Sequence, residues 1–520
     1  MADDTASLAS KTMVRPWIYV LVASLVLVAH QAFYYQDLGK DAVDDAYISF
    51  RYAENLVKGN GLVFNAGERV EGYTNFLWTV LLALFMRLGA SPSTASILLG
   101  GAFGVATLLL GYQFCRLEWP HRPLVAAIAM ISLAVDGSFA LWAVSGMETS
   151  MFAFLVLAAV TCHVWEWKTD RPGFVSGAVV ALAAMTRPEG LLVFVVLMAH
   201  QVLARLIVQR RLVAAADVAK AGTFVALYLP YYLWRYYYYG FLLPNTFYAK
   251  VAVGDAMAQI RRGLVHTAAF GRLRFGWLLP LIAAVPVVKR KISFWLTACL
   301  GVVLTYMAYI TYVGGDWSVG RFFVPILPLS YVLVATGLVE LYDTAKGWLS
   351  RRAVSSRAMR AFQWSAVACL LLGLAVFFNF SSLEGEHKLF IARFQAAKAT
   401  HARVAMGKWL RDNVPADTYI AVDAAGQIPY YSGLRALDMF GVNDVHTAHI
   451  EVEKMGEGVP GHEKFDFDYI MWRQPDLIVA TAAFLDGSEL YDRLEVPWTD
   501  DQSLHDFLYV YRRKGWDGWS

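Results

Sequence analysis

The chain has 520 residues, of which 58% are hydrophobic and only 17% are charged, and its mean hydropathy is +0.44. Soluble domains are usually about 45–50% apolar and about 25% charged. The composition therefore excludes an ordinary soluble protein and predicts a polytopic membrane protein with some soluble mass attached. The net charge of +3 is small and gives no support for a nucleic-acid partner.

Apolar segments recur along the first 381 residues, beginning with Trp17–Ala32, which we interpret as a retained first helix. They lie near 17–33, 75–90, 94–114, 123–143, 150–167, 174–187, 189–205, 221–239, 274–288, 292–313, 323–342 and 361–381. A straight crossing needs about 20 residues, and several of these segments are shorter. The hydropathy pattern predicts about 11 transmembrane helices.

Basic residues predict the orientation, because Lys and Arg accumulate in cytoplasmic loops. Lys11 and Arg15 place the N-terminus in the cytoplasm. The remaining basic loops fall inside if 75–90 lies at the outer interface without crossing and 174–205 is a hairpin with its tip at Thr186–Gly190. These loops contain Arg116/Arg122, Lys168/Arg171, Arg205/Arg210/Arg211, Lys289/Arg290/Lys291 and Arg351/Arg352/Arg357/Arg360. The C-terminus then lies outside.

The composition changes after Phe380, where spanning segments end and polar and apolar residues mix. The pattern predicts two domains: a transmembrane domain over 1–381, with a first extracytoplasmic loop at 35–74, and a small extracytoplasmic α/β domain over 382–520. Short buried runs predict strands, and a longer mixed run predicts a helix. The strands are expected in Tyr419–Gly426, Pro475–Ala482 and His505–Lys514, the helix in Ala399–Asn413, and a linker in Ser381–His387.

The pair Asp44–Asp45 follows the first apolar segment almost directly. Adjacent carboxylates at a membrane surface are costly, so they are candidates for a functional site. One of them could cap the helix predicted from Ala46 onward, but the second would be surplus to that role. A carboxylate beside apolar surface can instead act as a general base toward a sugar hydroxyl. We therefore predict that the pair is catalytic.

The predicted topology collects the other polar motifs on the same outer face. They are SGMET (145–149), TRPEG (186–190), LPNTFYAK (243–250) and GGDWSVGRFF (314–323). An Arg at the outer boundary is suited to holding a phosphate through charge-assisted hydrogen bonds, and the candidates for this role are Arg321, Lys250 and Arg187. A salt-bridged turn is an equal interpretation of Arg187, and an interfacial anchor is the alternative for Lys250.

Further polar and aromatic side chains of these motifs are candidates for binding the substrates. They are Tyr47, Arg51, Glu68, Glu71, Asn75, Glu148, Glu189, Asn245, Asp316 and Trp317. A solvated turn is an equally good interpretation of Glu68 and Glu71. The sequence contains no Walker-type loop, GxSxG elbow or HExxH motif, so ATP-driven transport and the common hydrolases have no support. No metal-ligand spacing stands out, although a carboxylate-bound divalent cation would leave little trace in a sequence.

The order of these motifs resembles the GT-C membrane glycosyltransferases. DDAYISFRYAENL and GLVFNAGERVEGYTNFLW are followed by SGMET, TRPEG, GFLLPNTFYAK and GGDWSVGRFFVPILPL. The resemblance covers most of residues 35–330 and is greatest to the terminal β-(1→2) arabinofuranosyltransferases, which complete arabinan in mycobacterial cell walls, and to their relatives in other bacteria.

The resemblance implies a multi-pass enzyme of the bacterial cytoplasmic membrane with an extracytoplasmic active site. Its donor would be a polyprenyl-phosphate sugar, and its acceptor a glycan or glycoconjugate. The resemblance further implies a carboxylate base in the first outer loop, which maps onto Asp44 as base with Asp45 supporting it. The acceptor hydroxyl would attack with inversion, while Arg321 and Lys250 would stabilise the departing polyprenyl phosphate.

Three alternatives stand beside transfer of arabinofuranose. The first is transfer of another sugar to a lipid or protein acceptor, and the second is a lipid-linked sugar transporter. A transporter needs sites that open to both sides and often shows repeat symmetry, whereas the polar motifs here gather on one face. The third is a non-catalytic membrane scaffold, which would keep its function when Asp44 and Asp45 are replaced by Asn.

Overall fold

The computed structural model describes residues 17–250, 256–274, 278–289, 291–318, 320–352, 354–452 and 455–518. In this part of the chain a bundle of apolar helices precedes a small mixed α/β unit. The predicted fold class is therefore confirmed. Lys11, Arg15 and Arg290, which contributed to the predicted orientation, lie outside the described residues.

The membrane part contains helices of very different lengths, from six residues to twenty-seven. They are α1 (Trp17–Asp37), α2 (Asp44–Val57), α3 (Phe76–Arg87), α4 (Pro92–Glu118), α5 (Pro123–Ala134), α6 (Gly137–Ala143), α7 (Thr149–Lys168), α8 (Phe174–Thr186), α9 (Glu189–Gln209), α10 (Ala215–Tyr239), α11 (Asn245–Lys250), α12 (Ala256–Arg272), α13 (Leu278–Val288), α14 (Phe294–Tyr312), α15 (Leu327–Arg351) and α16 (Ser356–Phe378). A short 3₁₀ helix, Arg321–Ile326, leads into α15, and a π-helix, Asn379–Ala392, continues α16.

Seven helical stretches of the described residues are long and apolar enough to cross a membrane, or eight if α5 and α6, bent by 63°, form one span. The protein is therefore a multi-pass membrane protein. Three further apolar helices, α3, α8 and α13, are shorter. The predicted total of about 11 crossings counts α8, α10 and α13 as further spans and leaves α3 at the outer interface, and that number stays a prediction.

The predicted hairpin with its tip in TRPEG is confirmed. Helix α8 ends at Thr186, Arg187 is extended with φ −153° and ψ 141°, and α9 begins at Glu189. Pro188 explains the break, because the residue before a proline is disfavoured in the helical region. A Cβ at Gly190 would overlap the backbone of Ala183 and Ala184, so the two helices approach closely at the turn.

Loop residues predicted to be cytoplasmic converge at one end of the bundle. Arg122 and Lys291 both pair with Glu340, with N–O distances of 3.0 and 2.6 Å, and Lys168 pairs with Glu118 at 2.9 Å. This grouping is what the predicted orientation requires of these loops. The assignment of this end to the cytoplasm stays a prediction.

The α/β unit carries a five-stranded sheet with the order β2-β1-β3-β5-β4, in which β2, β1 and β3 are parallel to one another and β5 is antiparallel to both of its neighbours, β3 and β4. Its elements are α17 (Ala396–Asn413), β1 (Tyr419–Val422), α18 (Gln427–Ser432), β2 (Arg435–Asp438), α19 (Val445–His449), α20 (Phe467–Arg473), β3 (Leu477–Ala480), β4 (Tyr491–Leu494) and β5 (Tyr509–Arg513), with a 3₁₀ helix at Gln502–Phe507. The three predicted strands and the predicted helix are confirmed, whereas β2 and β4 were not predicted.

The expectation of a linker at Ser381–His387 is wrong, because these residues belong to the π-helix. Ser382 and Glu386 are buried there: the Ser382 carbonyl accepts a hydrogen bond from the Tyr34 hydroxyl at 3.2 Å, and Glu386 accepts one from the Ser138 hydroxyl. The polar composition of this segment therefore reflects buried pairing with α1 and α6. The domain boundary after residue 381 stays a prediction.

Helix α2 is shared between the two parts of the molecule. Tyr47 and Phe50 pack in the core of the helix bundle, whereas Tyr52 packs in the core formed with strands β1 and β3. One amphipathic helix therefore carries Asp44 and Asp45 at its first turn and joins the membrane part to the α/β unit.

Candidate active site

The first turn of α2 meets the 3₁₀ helix that begins at Arg321. The Arg321 guanidinium donates from Nη1 to Asp45 Oδ2 at 3.0 Å, and from Nε and Nη2 to the two oxygens of Asp316 at 2.6 and 2.7 Å. The side chain of Arg321 is 4% exposed, whereas that of Asp45 is 34% exposed. One guanidinium is therefore shared by a buried carboxylate, held by two hydrogen bonds, and a half-open carboxylate, held by one.

Glycines allow this arrangement. Gly314 and Gly315 both have positive φ, 83° and 79°, which turns the chain from α14 toward Asp316. A Cβ at Gly320 would overlap Ser138 Oγ and Glu386 Oε1 and lie 2.7 Å from Ser138 Cβ. The loop before Arg321 therefore packs directly against a buried polar cluster of the bundle.

This cluster is centred on Asp136. The Asp136 carboxylate accepts hydrogen bonds from Arg274 Nε at 2.8 Å and Nη2 at 3.0 Å, and from the Tyr331 hydroxyl at 2.6 Å. Arg274 Nη2 also donates to Ser138 Oγ at 2.7 Å, and Ser138 donates to Glu386. A buried charge is tolerated only when it is paired and hydrogen-bonded, and the cluster meets that condition while supporting the backbone next to Arg321.

Lys250, the last residue of α11, brings a second positive charge to the site. A Cβ at Gly461 would lie 3.3 Å from Lys250 Cε, so the lysine stem passes directly over this glycine of the α/β unit. Burial and the positive charge of Arg321 lower the pKa of Lys250, and the carboxylates of Asp45 and Asp316 partly offset this. The ammonium group therefore belongs to the same electrostatic cluster as Arg321.

The electrostatics keep Asp45 ionised. Desolvation alone would raise the pKa of the Asp45 carboxyl, but the positive charges of Arg321 and Lys250 outweigh it and hold this pKa below its usual value. A protonated His462, from the α/β unit, acts in the same direction.

A second ion cluster, built on Arg187, lies beside the first. Arg187 Nη1 donates to Glu148 Oε1 at 2.6 Å, while Nε and Nη2 donate to Glu189 at 3.3 and 2.9 Å. Both carboxylates are buried, and Glu148 also accepts a hydrogen bond from Asn75 Nδ2 at 2.7 Å. The ring of Phe322 lies 5.5 Å from the guanidinium carbons of both Arg187 and Arg321. The two clusters therefore adjoin.

Asp44 lies apart from Asp45, although the two are adjacent in sequence. Its carboxylate oxygens accept hydrogen bonds from the backbone N–H groups of Gly426 at 3.2 Å and Gln427 at 2.9 Å. Desolvation raises the pKa of Asp44, and the charge of Arg403 and these hydrogen bonds only partly offset it. Asp44 thus contacts the α/β unit, whereas Asp45 contacts Arg321.

Tyr47 and Arg51 also contact the α/β unit. The Tyr47 hydroxyl lies 2.7 Å from Asp41 Oδ1 and 2.8 Å from the Tyr431 hydroxyl. Arg51 donates to the carbonyl oxygen of Leu434 at 2.7 Å. Both side chains are buried by these contacts.

Four other candidate residues also take part in packing and pairing. Glu68 pairs with Arg435, and Glu71 pairs with Arg235 at 2.7 Å. Asn245 Nδ2 lies 2.9 to 3.1 Å from the carbonyl oxygens of Gly441, Val442 and Asp444. Trp317 packs against Phe390, with ring centroids 5.2 Å apart, and faces the Arg321 guanidinium at 5.5 Å.

The structure thus brings Asp45, Lys250, Asp316 and Arg321 together, with the Arg187 cluster beside them. Sequence reasoning missed Arg274, Asp136 and His462. The isolated Asp136 within an otherwise apolar segment was a usable signal, since ionisable residues inside a membrane are rare and functional. No sequence signal pointed to His462. Among the described residues, no group of three or more His, Cys, Asp or Glu side chains could hold a metal ion.

Solved structures with the same arrangement of elements decide the fold. One is the crystal structure of ArnT from Cupriavidus metallidurans with bound undecaprenyl phosphate. Its alignment covers 95% of this chain and 97% of ArnT, with a TM-score of 0.60 and 14% sequence identity. Another is an oligosaccharyltransferase of Archaeoglobus fulgidus in the apo form. Its alignment covers 89% of this chain and 69% of that protein, with a TM-score of 0.56 and 12% sequence identity. The chain has the GT-C fold.

Curated relatives confirm the resemblance seen in the motifs. The terminal β-(1→2)-arabinofuranosyltransferase of Mycobacterium tuberculosis is 31% identical over 274 residues, which cover 48% of this chain and 42% of that protein. The protein of the same name from Corynebacterium glutamicum is 27% identical over 365 residues, which cover 59% of this chain and 49% of that protein. This GT-C chain therefore matches less than half the length of each relative.

The C-terminal part has relatives of its own. Residues 391–517 match a family described only as a domain of unknown function (DUF8728). The matched segment contains the five described strands and the residues described above that contact Asp44, Arg51 and Asn245.

We expect Gly320→Ala to disrupt the site without unfolding the bundle, because the added methyl group overlaps Ser138 and Glu386 and must displace the loop that carries Arg321. A displacement of about 1 Å at a catalytic constellation can lower turnover roughly 100-fold. Gly347→Ala is the matched control, since a Cβ there meets no atom within 4 Å. Turnover and thermal unfolding measured for both variants check this expectation, and equal turnover in the two would contradict it.

Proposed function

We propose that this GT-C protein transfers a sugar from a polyprenyl-phosphate donor to a glycan or glycoconjugate acceptor, with inversion at the anomeric carbon. Arabinofuranose is the proposed sugar, and the proposed location is the extracytoplasmic face of a bacterial cytoplasmic membrane. The names of the two curated relatives support the sugar and the reaction. The undecaprenyl phosphate bound to ArnT supports the class of donor, as does the dolichol-phosphate in a separate structure of the oligosaccharyltransferase AglB from Archaeoglobus fulgidus.

One observation carries the proposal: a half-exposed carboxylate, Asp45, shares a buried guanidinium with Asp316 next to a second cation, Lys250. A base for the acceptor hydroxyl and two cations for a departing phosphate are the groups that this displacement needs. Arg321 keeps its geometry when Asp45 leaves, because Asp316 holds it through two hydrogen bonds.

The donor phosphate first replaces Asp45 as the partner of Arg321 Nη1 and also pairs with Lys250. The negative charge of the phosphate cancels part of the field that depresses the Asp45 pKa. The pKa of this carboxyl therefore rises toward the range in which a general base is most effective. Donor binding in this way converts a resting ion pair into an available base.

Transfer then follows in one displacement. The acceptor hydroxyl oxygen forms its bond to the anomeric carbon and gives its proton to Asp45, while the bond from that carbon to the phosphate oxygen breaks. The electron pair of that bond leaves with the polyprenyl phosphate, whose additional charge Arg321 and Lys250 stabilise. Attack opposite the leaving group inverts the anomeric centre.

The geometry favours Asp45 over Asp44 as the base, although the resemblance had suggested the reverse. Both oxygens of Asp44 accept backbone hydrogen bonds from Gly426 and Gln427, and protonation of Asp44 would weaken these bonds. Asp45 has one charged partner and the more suitable position beside both cations.

Transfer from synthetic polyprenyl-phosphoryl arabinofuranose by purified protein tests this proposal. We expect product from the wild type and a loss of about 100-fold to 10,000-fold in kcat for Asp45→Asn, the range typical of general base catalysis. Glu54→Gln is the matched control, because Glu54 lies near the far end of the same helix, where it pairs with Lys58.

Undiminished transfer by Asp45→Asn would contradict the assignment of the base. If the wild-type protein transferred no sugar from any polyprenyl-phosphate donor tried, the proposal that it is a glycosyltransferase would be contradicted. In that case, movement of a lipid-linked sugar across vesicles containing the protein would support the transporter alternative, and no binding of such lipids would support a scaffold.

The pH dependence of kcat/KM gives a second prediction, because this constant reports the free enzyme. The lowered pKa of Asp45 keeps its carboxylate ionised. We therefore expect that protonation of Asp45 does not reduce the kcat/KM of the wild type above about pH 5. In Lys250→Gln one stabilising positive charge is lost, the pKa of Asp45 rises, and the acid limb moves to higher pH. An acid limb at the same pH in both proteins would contradict the proximity of Lys250 to the base.

A further inference from the structure

The α/β unit docks on the first turn of α2 through a short turn at Gly426. The backbone N–H groups of Gly426 and Gln427 donate to the two oxygens of Asp44. Gln427, which is fully buried, donates in return from Nε2 to the carbonyl oxygen of Ala42 at 3.3 Å. The turn therefore holds the chain on both sides of the start of α2.

Only glycine permits this approach. A Cβ at Gly426 would overlap the carbonyl oxygen of Asp44 and would lie 2.8 Å from its Cγ. The obstacle is backbone, which cannot move aside as the end of a flexible side chain can. A residue with any side chain at this position must push the turn away from α2.

Two further contacts hold the same helix and the loop that follows it. Arg51, two turns later, donates to the carbonyl oxygens of Pro429 and Leu434. Asn65, just beyond α2, exchanges two hydrogen bonds with Ala436, at 2.9 and 3.1 Å. The segment from Gly426 to Ala436 thus contacts α2 at its start and middle, and contacts the loop after α2 at Asn65.

The consequence for Asp45 follows from helix geometry. Successive side chains on an α-helix point about 100° apart, so Asp44 contacts the α/β unit while Asp45 contacts Arg321. Any rotation or shift of this first turn that released Asp44 would also move Asp45 relative to the guanidinium. The direction of one carboxylate therefore depends on the anchorage of the other.

We propose that the α/β unit is a working part of the active site, and that Asp44 is a positioning residue through which it aligns Asp45 with Arg321. This inference rests on the function proposed for Asp45. It gives a role to a segment whose family has none assigned. A purely structural contact would predict instead that weakening it lowers stability and leaves turnover per folded molecule unchanged.

Two variants of the full-length protein test the inference: Gly426→Ala, which separates the turn from Asp44, and the milder Asp44→Asn, which puts an amide in place of the accepting carboxylate. The matched control is Gly271→Ala in α12, where a Cβ meets no atom within 4 Å. We expect kcat to fall about 100-fold in Gly426→Ala, as for a misplaced catalytic group, and by less in Asp44→Asn, whose amide oxygen can still accept one of the two hydrogen bonds. The donor KM should not rise, since Arg321, Asp316 and Lys250 are untouched and a misplaced Asp45 competes less with the phosphate for Arg321.

A second readout does not depend on activity. A water-soluble carbodiimide with an amine nucleophile modifies accessible carboxyl groups, and fragment-ion mass spectrometry separates modification at Asp44 from modification at Asp45. We expect Asp45 to react slowly in the wild type, because Arg321 pairs with it, and several-fold faster in Gly426→Ala. Gly271→Ala should match the wild type.

The outcomes distinguish the inference from the proposed function. If the wild type is active and the folded test variants keep the same kcat, the inference is overturned and the proposed function stands. No transfer by the wild type would overturn the proposed function, and labelling of Asp45 would still decide whether the turn aligns it. Equal labelling of Asp45 in wild type and Gly426→Ala would overturn the alignment itself.

Discussion

The arrangement of this protein depends on one buried positive charge at the end of a helix bundle. A guanidinium removed from water must be paired, and removal of one partner of such a pair costs about 3–5 kcal/mol. Arg321 is shared between Asp316, which is buried and bound twice, and Asp45, which is half-exposed and bound once. Because Asp45 is bound more weakly than Asp316, a phosphate can replace Asp45 while Asp316 holds the guanidinium in place.

Much of the surrounding structure maintains that pair. On the side of the helix bundle, the cluster of Asp136, Arg274, Ser138 and Glu386 supports the loop at Gly320, where no side chain fits. On the side of the α/β unit, the turn at Gly426 holds Asp44 and with it the first turn of α2. Glycine at two positions far apart in the sequence thus lets both parts of the molecule pack closely around the site.

Hydropathy and turn residues predicted most of the architecture, because they act locally. The apolar segments, the break at Pro188 and the strand over Tyr419–Val422 follow from residues close in sequence. Strand β2, with the sequence RALD, was missed because four residues without alternation carry no strand pattern, and only pairing with β1 makes it one. The supposed linker at 381–387 was misread because its polar residues find buried partners more than 200 positions away.

In the candidate site, too, local features were predictable from the sequence and features that depend on distant contacts were not. The sequence identified Asp45, Arg321, Asp316 and Lys250 as members of one outer face, since charged residues beside a membrane are costly and few. It could not separate the roles of Asp44 and Asp45. That distinction lies in backbone groups of Gly426 and Gln427, about 380 residues later, and a backbone N–H has no sequence signature. His462 was missed for the same reason, because folding alone brings it to Asp45.

A structure of the wild-type protein with a bound polyprenyl phosphate would test the central claim most directly. The account predicts the phosphate within hydrogen-bonding distance of Arg321 and Lys250, with Asp316 still bound to Arg321 and the Asp45 carboxylate released toward the open side of the site. A phosphate bound elsewhere on the bundle, with the pair between Asp45 and Arg321 intact, would contradict it.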